Sequence, residues 1–483
     1  MSVLLAAALL AACDAPEASD ATGTGLLAPC HVPGLEAESL CGTVTVFEDR
    51  AAGAGRTIDL RVLVIPAISP YPRPDPLFFL AGGPGQAASE VASGILPALT
   101  QVQRRRDLVF VDQRGTGDSN GLRCPQDEGL SLRQMLELDP VAETVRCREA
   151  LAEEADLTRY TTDLAAADLE DVRAALGYGP INLYGVSYGT RAAMEFARRY
   201  PGSVRAMILD GVAPPQMPVG LHFAQDGQAA LDALFRDCAA AADCAAAFPE
   251  LSAHFDALME RLSGEEPVEV TITHPRTGNE ETIPMDAELL ASGVQGMLYA
   301  PSLSSLTPLT LEAAHAGDFT PFVAQTLGFS EGTGGSIYDG MRSSVMCAED
   351  LPRYPAETSR FTEGTALSDA ALRGLQESCD EWIEIPMPEG TGEPLSSDVP
   401  TLLLSGALDP VTPPRWGDLA AETLSSSLHL VAPGAGHNVG PSGCMPRVMA
   451  DFVEAGTVEG LDAGCVENIT RPPFFIDFAG PTQ

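Results

Sequence analysis

Three residues, in the order serine, acid, histidine, could together break an acyl bond: Ser187, Asp409 and His437. A serine hydroxyl is a weak nucleophile until a base takes its proton, and that base must itself be oriented by a third group. Ser187 sits in Gly185-Val-Ser-Tyr-Gly189, after the apolar run Ile181–Tyr184 and before a helical stretch that runs to about Tyr200. A glycine-flanked serine between strand and helix implies a tight turn that holds the hydroxyl out at the sheet edge, beside a helix N-terminus. Asp409 and His437 each lie just past a later apolar run, so both fall in loops at that same edge. Asp210, which ends an earlier run, is the rival acid; such a residue more often anchors a turn. A tetrahedral intermediate also needs N–H donors. The Tyr188 N–H supplies one, and Gly83, with Gly82 beside it, is the natural source of the second. In their loop, Gly82-Gly-Pro-Gly85, glycine lets the backbone approach a substrate carbonyl.

The elements that must position these residues read as a mostly parallel, doubly wound sheet. Thr43–Glu48 and Thr57–Ile65 form a hairpin signal across Gly53-Ala-Gly55. Leu77–Leu80, Asp107–Val111, Ile181–Tyr184 and Val204–Leu209 are short apolar runs separated by helical stretches, the pattern of strands covered on both faces. Thr162–Gly177 is a helix that Thr162 or Asp163 could cap. Between residues 216 and 397 the pattern turns to alanine-rich helices with one polar hairpin, Val268–Thr273 and Thr282–Met285. Strands then return at Thr401–Leu404 and Leu428–Val431. The expected organisation is therefore a core in two parts, 40–215 and 398–483, with a mainly helical cap inserted at 216–397.

Composition narrows the setting. Of 483 residues, 67 are acidic and 28 basic, the latter all arginine, giving a net charge of −39. Such a surface repels phosphate backbones, so nucleic acid is excluded as a partner. Residues 1–13 are apolar and too short to span a bilayer, and they read as an export signal. Leu10-Ala-Ala-Cys13 is similar to a lipoprotein box, with Cys13 as the lipidated residue, although no basic residue precedes it; residues 14–39 would then be a tether. The membrane would be touched only through that lipid. Ten further cysteines suggest, as sequential neighbours, the pairs Cys30–Cys41, Cys124–Cys147, Cys238–Cys244, Cys347–Cys379 and Cys444–Cys465, though spacing alone does not determine connectivity. Five disulfides point to an oxidising compartment, so the protein is expected in the periplasm or cell envelope, or secreted. No Cys/His cluster suggests a metal, and the chemistry calls for no cofactor.

Taken together, Gly82-Gly-Pro-Gly85, Asp112-Gln-Arg-Gly-Thr-Gly-Asp-Ser119, Gly185-Val-Ser-Tyr-Gly189, Gly406-Ala-Leu-Asp409-Pro and Gly436-His437 resemble the prolyl/tripeptidyl aminopeptidase branch of the α/β-hydrolases. Alanine replaces the histidine often found before the Gly-Gly-Pro-Gly of proline iminopeptidases, which tilts the match towards secreted, tripeptidyl-aminopeptidase-like members. So does Cys347-Ala-Glu-Asp350 with Cys379-Asp-Glu-Trp382. The resemblance implies an α/β-hydrolase fold and a serine exopeptidase that releases residues or short peptides from free N-termini through an acyl-enzyme. An esterase or amidase acting on small substrates, or a non-catalytic binding lipoprotein, are the alternatives. An exopeptidase must hold the substrate ammonium with a carboxylate. Glu349, fixed beside Cys347, is the candidate, and Asp350 is second.

Overall fold

The computed structural model describes residues 25–481, apart from positions 37, 128, 334, 335 and 368. The signal and lipid-acceptor readings, Cys13 included, lie outside the described residues. Nine strands form one sheet: β1 (Leu27–Cys30), β2 (Ser39–Phe47), β3 (Thr57–Ile65), β4 (Leu77–Leu80), β5 (Leu108–Val111), β6 (Ile181–Val186), β7 (Val204–Asp210), and, after an excursion, β10 (Thr401–Gly406) and β11 (Ser427–Ala432). The excursion holds a separate antiparallel pair, β8 (Val268–Thr273) and β9 (Glu280–Met285). The order across the large sheet is β1-β2-β3-β5-β4-β6-β7-β10-β11. Pairing is antiparallel from β1 to β5 and parallel from β5 to β11.

The short runs alternate between the two faces of the sheet, as a period of two requires. Phe78, Leu80, Val109, Leu183 and Leu209 enter one buried cluster, while Leu77, Phe79, Phe110, Tyr184 and Ile208 enter the other. Both faces are covered by helices, so each strand is apolar throughout, and each such side chain contributes about 1.5–3 kcal/mol.

The cap has a hydrophobic core of its own, which includes Leu231, Leu234, Phe255, Val294, Met297 and Phe322. Two boundaries differ from the expected ones. Residues 27–30 are not tether: β1 pairs with β2 in register Leu27↔Gly42 to Cys30↔Ser39, and the Cys30–Cys41 disulfide closes it. The run Leu27-Ala-Pro-Cys30 is too short and too little alternating to be read as a strand, and tertiary pairing makes it one. Nor is the cap one continuous segment, because Leu132 and Phe474 also enter its core. The helix Leu132–Leu136 covers the hairpin: Glu281 accepts the Leu132 N–H, and Arg133 donates to the Thr282 carbonyl. Among the described residues five disulfides join cysteines that are neighbours in the sequence. Among the described residues no helix is long and apolar enough to cross a membrane.

Candidate active site

Ser187 stands between β6 and the helix Tyr188–Arg199 with φ +56° and ψ −125°, a left-handed conformation that is strained for any residue with a side chain. The neighbouring glycines make that turn possible. A Cβ at Gly185 would overlap the Gly189 carbonyl, and one at Gly189 would overlap the Leu80 carbonyl at the end of β4. The turn is braced from beneath: the Ser187 N–H donates to the Asp210 carbonyl at 2.8 Å. Thr190 Oγ1 donates to the Ser187 carbonyl and accepts the Ala213 N–H.

Asp409 follows β10 and is wholly buried. Its carboxylate accepts from the Val411 and Thr412 N–H groups and from Thr412 Oγ1, and Oδ2 lies 2.9 Å from Nδ1 of His437. Burial opposes ionisation, but the charge and hydrogen bond of His437 and the two N–H donors outweigh it, and the carboxyl is held below its ordinary value. The His437 ring is buried too. Burial opposes its charging, yet Asp409, with help from the charge of Asp210, raises its pKa above the ordinary 6.5. Oriented through Nδ1, the ring leaves Nε2 as its proton-accepting atom.

Asp210 does a different job from Asp409. Its oxygens accept the Val439 and Gly440 N–H groups at 2.8 Å and the Tyr184 hydroxyl at 2.9 Å, so it anchors the loop behind His437. Burial pushes its carboxyl up to about 6. The next residue, Gly211, leaves room for the histidine: a Cβ there would stand 3.2 Å from His437 Cε1. Asp210–Gly211 thus touches both the serine turn and the imidazole, which brings them to one rim of the sheet. Among the described residues no hydrogen bond joins Ser187 Oγ to the ring; in unliganded enzymes that bond is commonly long and tightens with substrate.

The Gly82–Gly85 loop packs against the serine. A Cβ at Gly82 would lie 3.1 Å from that of Ser187. The Gly82 N–H already reaches Gln86 Oε1 at 3.3 Å, which leaves Gly83, at φ +108°, as the better donor on this loop. Tyr188, as the first helical residue, has a backbone N–H with no partner inside the helix. The Asp112–Ser119 motif braces the core without pairing its own acid and base. Arg114 forms a two-pronged bond to Asp168, and Asp112 accepts from Ser89.

Glu349 and Asp350, the expected ammonium ligands, lie in the interior. Both are buried and engaged. Glu349 Oε1 accepts the Thr162 N–H and Oε2 the Thr162 hydroxyl, each at 2.7 Å. The helix expected to be capped by Thr162 or Asp163 is therefore capped by a carboxylate 187 residues away in sequence. Asp350 pairs with Arg191 at 2.9 Å and accepts the Val219 N–H. Both carboxylates stand in a π-helical turn, Met346–Asp350, in which Met346 and Ala348 are buried as well. They serve the nucleophile indirectly, since Thr162 Oγ1 also bonds the Tyr188 hydroxyl and Arg191 stands on the helix of Ser187.

One contact was not legible in the sequence. Tyr299, in the cap, accepts the His437 N–H on its carbonyl at 2.9 Å and packs its ring edge-on to the imidazole at 5.1 Å. A cleft of about 770 Å³ is lined by Gly83 and Pro84 together with residues of core and cap such as Cys147 and Phe223.

Comparison with known proteins agrees with this architecture. Residues 75–254 match the family described as alpha/beta hydrolase fold, and residues 365–465 match the family of TAP-like proteins. Serine protease Hip1 of Mycobacterium tuberculosis is 28% identical over 465 residues, spanning 88% of this chain and 87% of its own. Tripeptidyl aminopeptidase of Streptomyces lividans is 30% identical over 190 residues, 36% of this chain and 35% of its own. Proline iminopeptidase of Neisseria gonorrhoeae is 28% identical over 138 residues, 28% of this chain and 32% of its own.

Proposed function

Because the chain belongs to the α/β-hydrolases, in their serine-peptidase branch, we propose that it is a serine exopeptidase that releases residues or short peptides from free N-termini. The observation that carries the reading is the 2.9 Å bond between Asp409 Oδ2 and His437 Nδ1 at the rim where the strained Ser187 stands. In the first half-reaction His437 Nε2 takes the Ser187 proton as Oγ attacks the scissile carbonyl. The Tyr188 and Gly83 N–H groups receive the oxyanion, and the imidazolium then protonates the leaving amine. Water, activated by the same imidazole, frees the acyl-enzyme. Asp409 stays ionised throughout and holds the ring in the productive tautomer.

With Glu349 and Asp350 engaged elsewhere, the substrate ammonium needs another carboxylate. Of the acids lining the cleft, Asp127 and Glu143 are tied to Arg146. Asp339 also lines it and has no cationic partner among the described residues, so we assign the ammonium to Asp339. Export is supported by the five disulfides, which persist in oxidising compartments; anchoring through Cys13 is tested by metabolic labelling with a lipid precursor.

Aminoacyl- and tripeptidyl-arylamides with free and acetylated amines, set beside p-nitrophenyl esters, test the activity. The exopeptidase is expected to cleave free-amine arylamides and to lose at least tenfold in kcat/KM on acetylation. Indifference to acetylation, or preference for simple esters, would instead assign an esterase. Failure of a fluorophosphonate to label Ser187 in folded protein would make it a binding protein.

A further inference from the structure

The cleft beside the Gly82–Gly85 loop carries a cation that no described residue matches with an anion. Arg342 lies on the helix Asp339–Val345 and lines the cleft together with Gly83, Pro84 and Met346. It is exposed, and among the described residues its guanidinium makes no ion pair, hydrogen bond or ring contact. What sets it apart is its place in the cleft wall, since the chain carries 67 acidic residues against 28 arginines and still leaves this one unmatched among the described residues. Arg146, lining the same cleft, is matched by both Glu143 and Asp127. Asp339, one turn before Arg342, forms no ion pair with it.

The position of Arg342 is fixed relative to the chemistry. The Tyr338 N–H donates to the Gly85 carbonyl at 2.8 Å, the Arg342 N–H donates to the Tyr338 carbonyl at 3.0 Å, and the Gly340 N–H donates to the Leu122 carbonyl at 2.9 Å. The helix base is thus tied directly to the loop assigned to the oxyanion. A planar guanidinium with free donors is matched to a carboxylate, which it can hold by two parallel bonds. The same cleft also presents Val219, Phe223, Leu375 and Trp382, apolar surface that suits the body of a short peptide. Net charge alone would repel an anionic substrate, so any such preference must be local.

Resting on the peptidase reading, we infer that Arg342 forms an anion-recognising subsite that takes a carboxylate carried by the peptide substrate. That carboxylate is either an acidic side chain or the free C-terminus of a very short peptide, and the two sources are separable.

Free-amine tripeptidyl-arylamides lack a C-terminal carboxylate, so placing Glu or Gln at each of the three positions reads the side-chain source. Tripeptides against their C-terminal amides read the other. At one position, or for the free acid, the wild-type protein should show about a tenfold higher kcat/KM for the charged member of the pair. Arg342→Gln should bring that ratio close to one, and Arg342→Lys should keep part of it. Reading ratios within each variant removes differences in the amount of folded enzyme. Ratios near one in the wild type in both arms, or a preference that persists in Arg342→Gln, would overturn the subsite. If no peptide is cleaved at all, the peptidase reading fails separately. Calorimetric titration of the Ser187→Ala protein with the same pairs then reads the subsite by affinity, with the same expected and overturning ratios.

Discussion

The backbone N–H of His437 donates to the carbonyl of Tyr299 at 2.9 Å, so the imidazole that closes the triad is held from the cap as well as from the core. The tyrosine ring adds an edge-on contact at 5.1 Å. Cap placement and base placement are therefore one structural variable.

Tyr299→Ala leaves the carbonyl in place but removes the ring that backs the imidazole. We expect kcat to fall by up to about 10²-fold, the order reached when a catalytic group is misplaced by about 1 Å, with the far-UV spectrum unchanged. An unaltered kcat in folded protein would separate the cap from the chemistry.

The two buried aspartates should part company on mutation. Asp409→Asn removes the charge that sets the imidazole tautomer and should lower kcat by about 10⁴. Asp210→Asn turns an amide NH₂ towards backbone donors that now meet a carboxylate. Its main expected effect is a loss of about 1–3 kcal/mol in stability with a smaller loss of rate. Chemical denaturation and kcat measured on the same preparations decide; the reverse pattern would make Asp210 the catalytic acid.

His437 must be neutral to accept the serine proton. Its raised pKa places the acidic limb of kcat/KM above 6.5, with activity rising as the ring deprotonates. In Asp409→Asn the limb should move to lower pH, because the raising charge is gone while burial remains.

Glu349 is a stability switch of predictable sign. Burial, opposed by the Thr162 bonds, pushes its pKa from 4.5 up to about 7. The native state therefore favours the protonated form. That contribution is fully present below 4.5 and is lost as pH rises through about 7. Glu349→Gln can still accept the Thr162 N–H and can donate to the Thr162 hydroxyl, without titrating. The melting temperature of the variant relative to wild type should rise across that window; a constant difference would place the carboxyl near its ordinary pKa.

The Cys347–Cys379 bridge spans 32 residues and fixes the segment that carries Glu349. Replacing both cysteines with serine should cost about 3.7 kcal/mol through the freer unfolded chain, measured by denaturant titration under oxidising conditions. Retained stability would assign the packing there to the surrounding core instead.

What the sequence by itself determined about this protein is local. A tight strand–turn–helix needs glycines at 185 and 189 whatever surrounds it, and strands buried on both faces must be apolar throughout, so Leu77–Leu80 and Thr401–Leu404 announce themselves. The order of Ser187, Asp409 and His437 after such strands follows from the same signals, and the cysteines joined as sequential neighbours because each pair closes a short loop. What only the tertiary structure decided is which partner a polar group finds across the chain. Glu349 and Asp350 carry the same residue types whether they meet a ligand or an inner helix, and here Thr162 and Arg191 occupy them. Leu27–Cys30 has no strand pattern until β2 lends it a register. Tyr299 is one aromatic among many until the cap folds over His437. Sequence patterns report backbone geometry and burial, which repeat every few residues. The pairing of charges and caps depends on contacts between segments far apart in the chain, and that information exists only once the chain has closed on itself.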